Sequence, residues 1–261
     1  MHDLDELLLL AERVARAAGE ILLEGLGDSR RVVATKSTDT DLVTEVDRRS
    51  EAAIVSAIRS ARPDDGILGE EGADHTGSSG VRWVIDPLDG TTNYLYGLPP
   101  FSVSIGAEVD GALALGVVAD PLGAELYSAR TGGGACCNGV PISCTTKSEL
   151  ATALVATGFG YAADLRRGQA EVLRTVLPEI RDIRRAGAAS IDLCRVAAGM
   201  LDGYWEVGMQ PWDFAAGTVI AREAGALVGG LDGDQPSTSF VIAAGPELFG
   251  QLRELLVRAD A

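Results

Sequence analysis

Histidine is almost absent from this sequence, and its scarcity disfavours several kinds of catalytic site. Of 261 residues only His2 and His75 are histidines. A zinc centre with histidine ligands and a Ser-His-Asp hydrolase both depend on this residue, so neither class is expected. His75 lies in ADHTGSSG, whose small and polar residues are typical of a surface loop. Any catalysis is therefore expected to use carboxylates.

Positive charge is also scarce. The chain has 22 Lys and Arg against 38 Asp and Glu, which gives a formal net charge of -16. Nucleic acids and anionic membrane surfaces select basic proteins, so neither is an expected partner. A phosphorylated substrate would be repelled as well, unless a bound divalent metal ion supplied the missing positive charge.

Long apolar runs and paired cysteines are missing too. No run approaches the ~18–20 apolar residues of a membrane helix. The start, MHDLDELLLL, places acidic residues before its apolar stretch, which is the opposite of a secretory signal. The four cysteines form no CxxC pair and are interpreted as reduced thiols of a cytoplasmic protein; they are Cys136, Cys137, Cys144 and Cys194.

The chain divides into two halves of different pattern. Residues 1–146 are predicted to form an α+β half in which helices precede an antiparallel sheet. Its helices are expected over 4–24 and 45–60, and its strands over 66–69, 81–86, 102–109, 112–119 and 124–129. Asp110-Gly111 between two of these strands is a strong hairpin signal. Residues 147–261 alternate strands and helices, which predicts an α/β half.

Two carboxylates follow the apolar strand 81–86 in the segment DPLDGTTN. Asp86 and Asp89 are separated by two residues, and Gly90 permits a tight turn after them. Magnesium is a hard cation that prefers oxygen ligands, so two Asp side chains with a backbone carbonyl between them suit it. The alternative is an ordinary Asp-Gly turn with a capping Asp.

Other acidic residues occupy similar places. Glu70 and Glu71 follow the short strand 66–69, and Asp213 opens a helix predicted over 212–224. Asp213 alone is equally well explained as a helix N-terminal acid, which the helix dipole favours. Three acidic element ends in a chain with almost no histidine favour a shared metal site.

With these residues in place, the sequence resembles the inositol monophosphatase family. The matching stretches are LVTEVD, GEEG, DPLDGTTNY, DGYWE and PWDFAAG, and they span nearly the whole chain. DPLDGTTN and WDFAAG, spaced about 120 residues apart, are the most specific of them. The resemblance implies a layered α-β-α-β-α sandwich of the inositol monophosphatase and fructose-1,6-bisphosphatase type, commonly a homodimer. The first half would carry most metal ligands, and the second would supply Asp213 and substrate contacts.

The resemblance also implies a magnesium cluster. Glu70, Asp86 and the carbonyl of Leu88 would hold one Mg²⁺ ion. Asp86, Asp89 and Asp213 would hold a second, and Glu70 would help a third through water. Such ions can activate a water and stabilise a leaving oxygen in phosphoryl transfer.

Further roles come from the same resemblance. Gly90 and Thr91 would offer backbone N–H groups to the phosphate, and Thr91 with Asp47 would act on the attacking water. Asp47 has an alternative role as the partner of Thr44 in a helix capping box.

The substrate side is implied in the same way. Glu206 would accept polyol hydroxyls, with Asp213 also among the substrate contacts, and Lys36 matches a lysine in a mobile loop near the metals. Lys36 could equally be an ordinary solvated lysine. The cavity would also be lined by Gly187, Ala188 and Ala189. The family's usual Gly-(Ser/Thr)-Ala-Ala is here Gly187-Ala188-Ala189-Ser190, so the hydroxyl at the second position is missing.

These residues predict a phosphoric monoester hydrolase that acts on a small polyol monophosphate, with myo-inositol monophosphate favoured and lithium expected to inhibit. Branches of the family that act on histidinol phosphate usually carry a lysine where this chain has Thr92. Fructose-1,6-bisphosphatase or histidinol-phosphatase activity stays open, with Arg184 and Arg185 as candidates for a second phosphate or for an interface. A regulatory, protein-binding member of the family is the alternative from another class.

Overall fold

The computed structural model describes residues 2–26, 32–35, 42–233 and 235–261, with the backbone alone for 32–35 and 42–44. Elements of the first part of the chain are α1 (Leu4–Gly25), β1 (Val32–Thr35), β2 (Leu42–Thr44), α2 (Glu45–Ala61), β3 (Gly66–Gly69), β4 (Asp74–His75), β5 (Val81–Asp89), α3 (Thr91–Tyr96), β6 (Ser102–Val109), β7 (Ala112–Asp120), β8 (Glu125–Arg130), β9 (Gly134–Cys137) and β10 (Val140–Pro141). The remaining elements are β11 (Leu154–Thr157), α4 (Ala163–Val176), β12 (Asp182–Arg184), α5 (Ala189–Ala197), β13 (Gly203–Val207), α6 (Pro211–Glu223), β14 (Leu227–Gly229), β15 (Phe240–Ala244) and α7 (Pro246–Arg258), with 3-10 turns at Leu150–Thr152 and Leu177–Glu179.

Two large sheets use separate stretches of the chain. The eight-stranded sheet has the order β10-β9-β8-β7-β6-β5-β3-β4 and is antiparallel except for the pair β3 and β5. The five-stranded sheet has the order β12-β11-β13-β15-β14. β11 is parallel to both of its neighbours, whereas β15 is antiparallel to β13 and β14. The α/β prediction therefore holds for three strands, because the last two strands are joined without an intervening helix.

The sheets and helices stack in layers. α1 and α2 cover one face of the eight-stranded sheet, and α5 and α6 pack between its other face and the five-stranded sheet. α4 and α7 lie on the outer face of the five-stranded sheet. Strands β6 and β7 are buried over most of their length, because α1 covers one face of the sheet there and α6 covers the other. This arrangement confirms the layered α+β fold.

Local signals in the sequence produced the expected elements. Asp3 caps α1, since its Oδ1 accepts hydrogen bonds from the backbone N–H groups of Asp5 at 2.9 Å and Glu6 at 3.4 Å. The β6–β7 hairpin turns at Asp110 and Gly111, whose φ angles of 52° and 82° are left-handed as a two-residue hairpin requires. Both predictions are confirmed.

One prediction of local structure was wrong. The sequence indicates an irregular segment over 31–44, apart from its two valines, whereas β1 and β2 pair there as a two-stranded antiparallel ladder. The tight turn expected after Asp89 leads into the short helix α3. Within the described residues, no helix is long and apolar enough to cross a membrane.

Close packing of α6 on the large sheet sets the position of Asp213. A Cβ on Gly116 would overlap the carbonyl oxygen of Ala216, and one on Gly106 would lie 3.0 Å from the Cβ of Ala215. Real Cβ contacts are longer, so only glycine permits this approach of helix to strand. The small residues of PWDFAAG thus meet two glycines across the interface, and the first turn of α6 is held at the end of β6.

Candidate active site

One cavity of about 420 Å³ collects almost all of the predicted site residues. It lies where β5, α3, α5, β13 and α6 converge. The predicted residues that line it are Glu70, Asp86, Leu88, Asp89, Gly90, Thr91, Gly187, Ala188, Ala189, Glu206 and Asp213. Asp47 lies beneath the cavity, in contact with Thr91. Lys36 lies outside the described residues.

The DPLD segment bulges at the end of β5. Asp86 pairs with Ser104 and Asp89 with Ser102, so three steps on β5 oppose two steps on β6. The bulge is fixed from within by a hydrogen bond of 3.0 Å from the Leu88 N–H to Asp86 Oδ1. It is fixed from outside by the Ser50 hydroxyl, which donates to the Pro87 carbonyl at 2.8 Å. Both carboxylates are thereby held at one end of the sheet, Asp86 2% and Asp89 9% exposed.

Glu70 reaches the same place because β3 runs parallel to β5. Gly69 is paired with Ile85, and the Glu70 N–H donates to the Ile85 carbonyl at 3.1 Å. The loop that follows is anchored by Glu51 of α2, whose carboxylate accepts from the N–H groups of Glu71 at 2.8 Å and Ala73 at 3.2 Å. Sequence reasoning missed Glu51, since its partners are about twenty residues away and no local pattern marks it.

Asp213 is both a helix N-terminal acid and a residue of the cavity wall. It is the third residue of α6, and its Oδ2 accepts from the Gln210 N–H at 2.7 Å, so it completes a capping box. The same side chain lines the cavity opposite the DPLD segment. The Ser104 hydroxyl donates to the Trp212 carbonyl at 3.3 Å and ties this turn to β6.

Asp89 is held by the beginning of α5. Its Oδ1 accepts from the Ala189 N–H at 3.3 Å, and its Oδ2 accepts from the Ser190 N–H at 2.8 Å and the Ser190 hydroxyl at 2.6 Å. A carboxylate suits this place because the N–H groups at a helix start are unsatisfied within the helix and carry partial positive charge.

The carboxylates make the cavity strongly acidic. Burial raises the pKa of Asp86 and of Asp213 well above the ordinary range, and repulsion from neighbouring carboxylates adds to both shifts. Burial also raises the pKa of Asp89, to about 6, although its hydrogen bonds to Ser190 oppose the rise. Among the described lining residues Arg185 is the sole basic side chain. The site therefore holds an excess of negative charge that a cation would relieve.

The carboxylate oxygens of this cavity are suitable ligands for a hard divalent cation, but the side chains would have to rotate to bind one together. As they stand, no three acidic, histidine or cysteine side chains of the described chain converge closely enough to hold an ion. Instead Asp86, Asp89 and Asp213 each have an oxygen bonded to backbone N–H groups. Each carboxylate keeps further lone pairs, so these bonds leave capacity for a metal ligand. An all-oxygen donor set is the one that Mg²⁺ prefers.

Thr91 and Asp47 form the predicted pair. The Thr91 hydroxyl lies 3.2 Å from Asp47 Oδ1 and 3.1 Å from the Leu88 carbonyl oxygen, and Asp47 is fully buried. Both of these neighbours are hydrogen-bond acceptors, so the Thr91 hydroxyl is the donor in either contact. The lone pairs of the Thr91 oxygen therefore remain for a donor in the cavity, which Thr91 lines.

Glu206 forms the far wall. The Tyr204 hydroxyl donates to its Oε2 at 2.6 Å, and burial raises the pKa of Glu206 to about 7. Its carboxylate lies directly on the backbone of Gly158, where a Cβ would overlap it. On the adjoining wall, Gly90 has a φ of 88°, and a Cβ there would come within 3.3 Å of Ala188 Cβ. Glycine thus permits the close approach of α3 to the 187–189 segment.

Two further charged residues line the cavity: Asp192, which was not predicted, and Arg185, which was a candidate for a second phosphate or for an interface. Arg185 lines the cavity with its guanidinium 5.9 Å from the centre of the Phe159 ring, whereas Arg184 pairs with Asp182 on the surface at 2.7 Å. Asp192 also lines the cavity, and burial raises its pKa to about 8. Asp192 lies on α5, about one turn after the Gly187-Ala188-Ala189 segment that was predicted to line the cavity. The helical period could therefore have predicted that Asp192 faces the same cavity.

Comparison with known proteins identifies the family of this chain. The sequence pattern of the inositol monophosphatase family matches residues 3–260. Inositol-1-monophosphatase SuhB of Mycobacterium tuberculosis is 49% identical over 211 residues, covering 77% of this chain and 73% of the relative. Nus factor SuhB of Pasteurella multocida is 40% identical over 253 residues, covering 95% of each chain.

A solved structure gives the same result for the fold. The extragenic suppressor protein suhB of Bartonella henselae superposes with a TM-score of 0.92 at 34% identity, covering 96% of this chain and 98% of that one. The family acts on phosphorylated substrates and is metal-dependent. The chain thus belongs to the inositol monophosphatase family and is a phosphoric monoester hydrolase.

Proposed function

We propose that this protein hydrolyses a small polyol monophosphate with Mg²⁺, and that myo-inositol monophosphate is its favoured substrate. The observation that carries the proposal is the cluster of Glu70, Asp86, Asp89 and Asp213 in one cavity beside the Thr91–Asp47 pair. A protein that only binds another protein has no need of four carboxylates held together against their mutual repulsion.

The acidic residues divide into two proposed ligand sets. Glu70, Asp86 and the Leu88 carbonyl would hold one ion, and Asp86, Asp89 and Asp213 a second, with Glu70 assisting a third through water. Bound Mg²⁺ would supply charge neutralisation to the phosphate and a nucleophile at neutral pH.

Thr91 and Asp47 would position the attacking water. Asp47 Oδ1 accepts a hydrogen bond from the Thr91 hydroxyl, so the Thr91 oxygen can in turn accept a hydrogen bond from a water in the cavity. The backbone N–H groups of Gly90 and Thr91, at the start of α3, would bind phosphate oxygens. These groups orient the reactants for in-line attack, which is most of what phosphoryl transfer requires of a protein.

The remaining wall suits a neutral polyol. Glu206 accepts from Tyr204 and keeps acceptor sites for hydroxyl groups, while Gly187, Ala188 and Ala189 give a smooth, small-residue surface. A carboxylate in this position disfavours a second phosphate. The relative from Mycobacterium tuberculosis, which is named an inositol-1-monophosphatase, supports the same substrate. Lys36 stays a proposed contact on the resemblance alone.

Phosphate release from a panel of substrates tests the proposal. We expect turnover of inositol 1-phosphate with Mg²⁺, none with EDTA, and full recovery when excess Mg²⁺ is restored. Fructose 1,6-bisphosphate and histidinol phosphate serve as the competing substrates, and Arg185 would be the residue to explain a preference for the former. A higher kcat/KM for either competitor would contradict the inositol assignment, and turnover in EDTA would contradict metal dependence.

A second candidate role comes from the relatives named Nus factors. We propose for this role the regulatory, protein-binding function that the sequence analysis gave as its alternative, in addition to catalysis. We propose that it works in the cytoplasm as a homodimer, without a nucleic-acid or membrane partner of its own. All four cysteines are free thiols and the net charge is -16, which supports this setting.

Lithium is expected to inhibit turnover at millimolar concentration, and more strongly at high substrate. The proposed second ligand set consists of hard carboxylate oxygens, which accept a small monovalent cation in place of Mg²⁺. With one charge fewer, the ion would retain phosphate product without supporting the next turnover, which makes the inhibition uncompetitive with substrate. Initial rates on inositol 1-phosphate across a lithium series at fixed Mg²⁺ check this, with potassium as the control. Insensitivity to tens of millimolar lithium would argue for a different arrangement of that ligand set.

A further inference from the structure

We propose that Ser190 is a positioning residue for Asp89, and that its hydroxyl sets the affinity of the site for Mg²⁺. The inference rests on the proposed function, in which Asp89 is a metal ligand. It concerns a residue that departs from the usual pattern of the family. That pattern, Gly-(Ser/Thr)-Ala-Ala, has its hydroxyl at the second position and alanine at the fourth, whereas this chain has Ala188 and Ser190.

The contact of the hydroxyl with Asp89 is direct and short. Ser190 Oγ lies 2.6 Å from Asp89 Oδ2, and the Ser190 N–H lies 2.8 Å from the same oxygen. Two donors from one residue therefore fix Oδ2, while the Ala189 N–H fixes Oδ1 at 3.3 Å. Three hydrogen bonds in different directions leave the carboxylate little freedom to rotate about its χ2 torsion, which is otherwise broad for aspartate.

A second serine fixes the direction of the hydroxyl proton. Ser102 Oγ lies 2.9 Å from Ser190 Oγ, and both residues are fully buried. An ionised Asp89 can only accept, so the single proton of Ser190 goes to Asp89, and Ser102 must donate to the Ser190 oxygen. Ser102 is also the residue opposite Asp89 in the β5–β6 ladder. The side chains thus form a linear chain of hydrogen bonds in which Ser102 donates to Ser190 and Ser190 donates to Asp89.

The consequence for metal binding follows from this restraint. Groups that orient a metal ligand through a hydrogen bond typically contribute about 10–100-fold to metal affinity or activity. Ser190 provides that support from α5, on the side of Asp89 away from the β5 backbone. The Ser190 hydroxyl does not line the substrate cavity. We therefore expect its loss to change the affinity for Mg²⁺ and to leave the KM for the polyol phosphate unchanged.

A purely structural role is the competing explanation. The same hydrogen bonds join β5, β6 and α5, so loss of the hydroxyl could lower stability and leave metal affinity unchanged. Loss of a purely structural hydroxyl would lower the melting temperature of the metal-free protein. Loss of a positioning hydroxyl would raise the dissociation constant for Mg²⁺.

Isothermal titration of Mg²⁺ into the metal-free protein separates them. We expect Ser190→Ala to raise the dissociation constant by about 10-fold or more, with the KM for inositol 1-phosphate unchanged at saturating Mg²⁺. Ser190→Thr keeps the hydroxyl and should retain the wild-type constant within about threefold, a smaller change than loss of the bond gives. Ser60→Ala, an exposed serine on α2 that bonds only the Ser56 carbonyl, is the matched control.

Each outcome decides the inference. A folded Ser190→Ala protein that binds Mg²⁺ as wild type does would overturn it, and so would a Ser190→Thr protein as weak as Ser190→Ala with an unchanged melting temperature. Weakened Mg²⁺ binding by Ser190→Ala, together with wild type that releases no phosphate from any substrate, would uphold the role of Ser190 and contradict the proposed function. Failure of wild type to bind Mg²⁺ would contradict both.

Discussion

Asp213→Asn should lower the kcat of Mg²⁺-dependent phosphate release by on the order of 10³-fold or more, because a metal ion contributes several kcal/mol to such a transition state. The substitution removes the negative charge of the proposed ligand and keeps the size of the side chain. Asn keeps a side-chain oxygen that can still accept from the Gln210 N–H, so the capping box at the start of α6 survives. The loss should therefore be seen in kcat at saturating Mg²⁺. The metal-free protein should melt no lower than wild type, because Asn also removes one of the buried, mutually repelling charges.

Asp89→Asn should be at least as inactive, but it is the less selective test. Both oxygens of Asp89 accept hydrogen bonds from α5, and an amide nitrogen cannot accept in the place of one of them. Asp182→Asn, on the surface beside Arg184, is the matched control and should be fully active. Near-normal turnover of Asp213→Asn at high Mg²⁺ would remove Asp213 from the proposed ligand set.

Thr91→Ala should lower kcat by about 10²–10⁴-fold, the usual contribution of a positioned proton acceptor. The hydroxyl is the group that carries the effect of Asp47 to the cavity, since Asp47 itself does not line it. Asp47→Asn should fall in the same range, because an amide is a poorer acceptor for the Thr91 proton. Thr91→Ser retains the hydroxyl and should keep much of the rate.

The stability of the Thr91 variants needs a separate measurement. Thr91→Ala removes one hydrogen bond from the buried Asp47 carboxylate, and a hydrogen bond to a charged group contributes about 1.5–3 kcal/mol to stability. Thermal unfolding of each variant shows whether the loss of rate exceeds the loss of folded protein. Thr91→Ala with the wild-type kcat would mean that the water is activated without the Thr91–Asp47 pair.

The sequence predicted the parts of this protein that depend on local pattern. Asp110-Gly111 placed the hairpin, and the alternation after residue 146 placed the elements of the five-stranded sheet within a few residues. Glu70 and Asp89 lie at the ends of β3 and β5, and Asp213 lies in the first turn of α6. Their motifs predicted that these acidic residues share one site, and all three line the same cavity. Local signals suffice here because strand ends and helix starts have characteristic residues.

Contacts between distant segments could not be predicted in the same way. Nothing near Ser190 in the sequence indicates that its hydroxyl reaches Asp89, 101 residues away. The same holds for Glu51, which supports the loop after Glu70 from a neighbouring helix. The antiparallel pairing of β1 with β2 was missed for a different reason, since strands of four and three residues are too short to show a clear strand period.

The glycines beneath α6 have a consequence for how variants of this protein should be interpreted. Gly106 and Gly116 contribute no side chain to the cavity, yet each sets how deeply α6 sits against the sheet. A methyl group at Gly116 would push the helix outward, and Asp213 would move with it while Asp86 stayed in place. Errors of about 1 Å in the position of a reacting group can cost on the order of 100-fold in rate. Inactive variants of this enzyme can therefore arise at positions that no inspection of the cavity wall would identify.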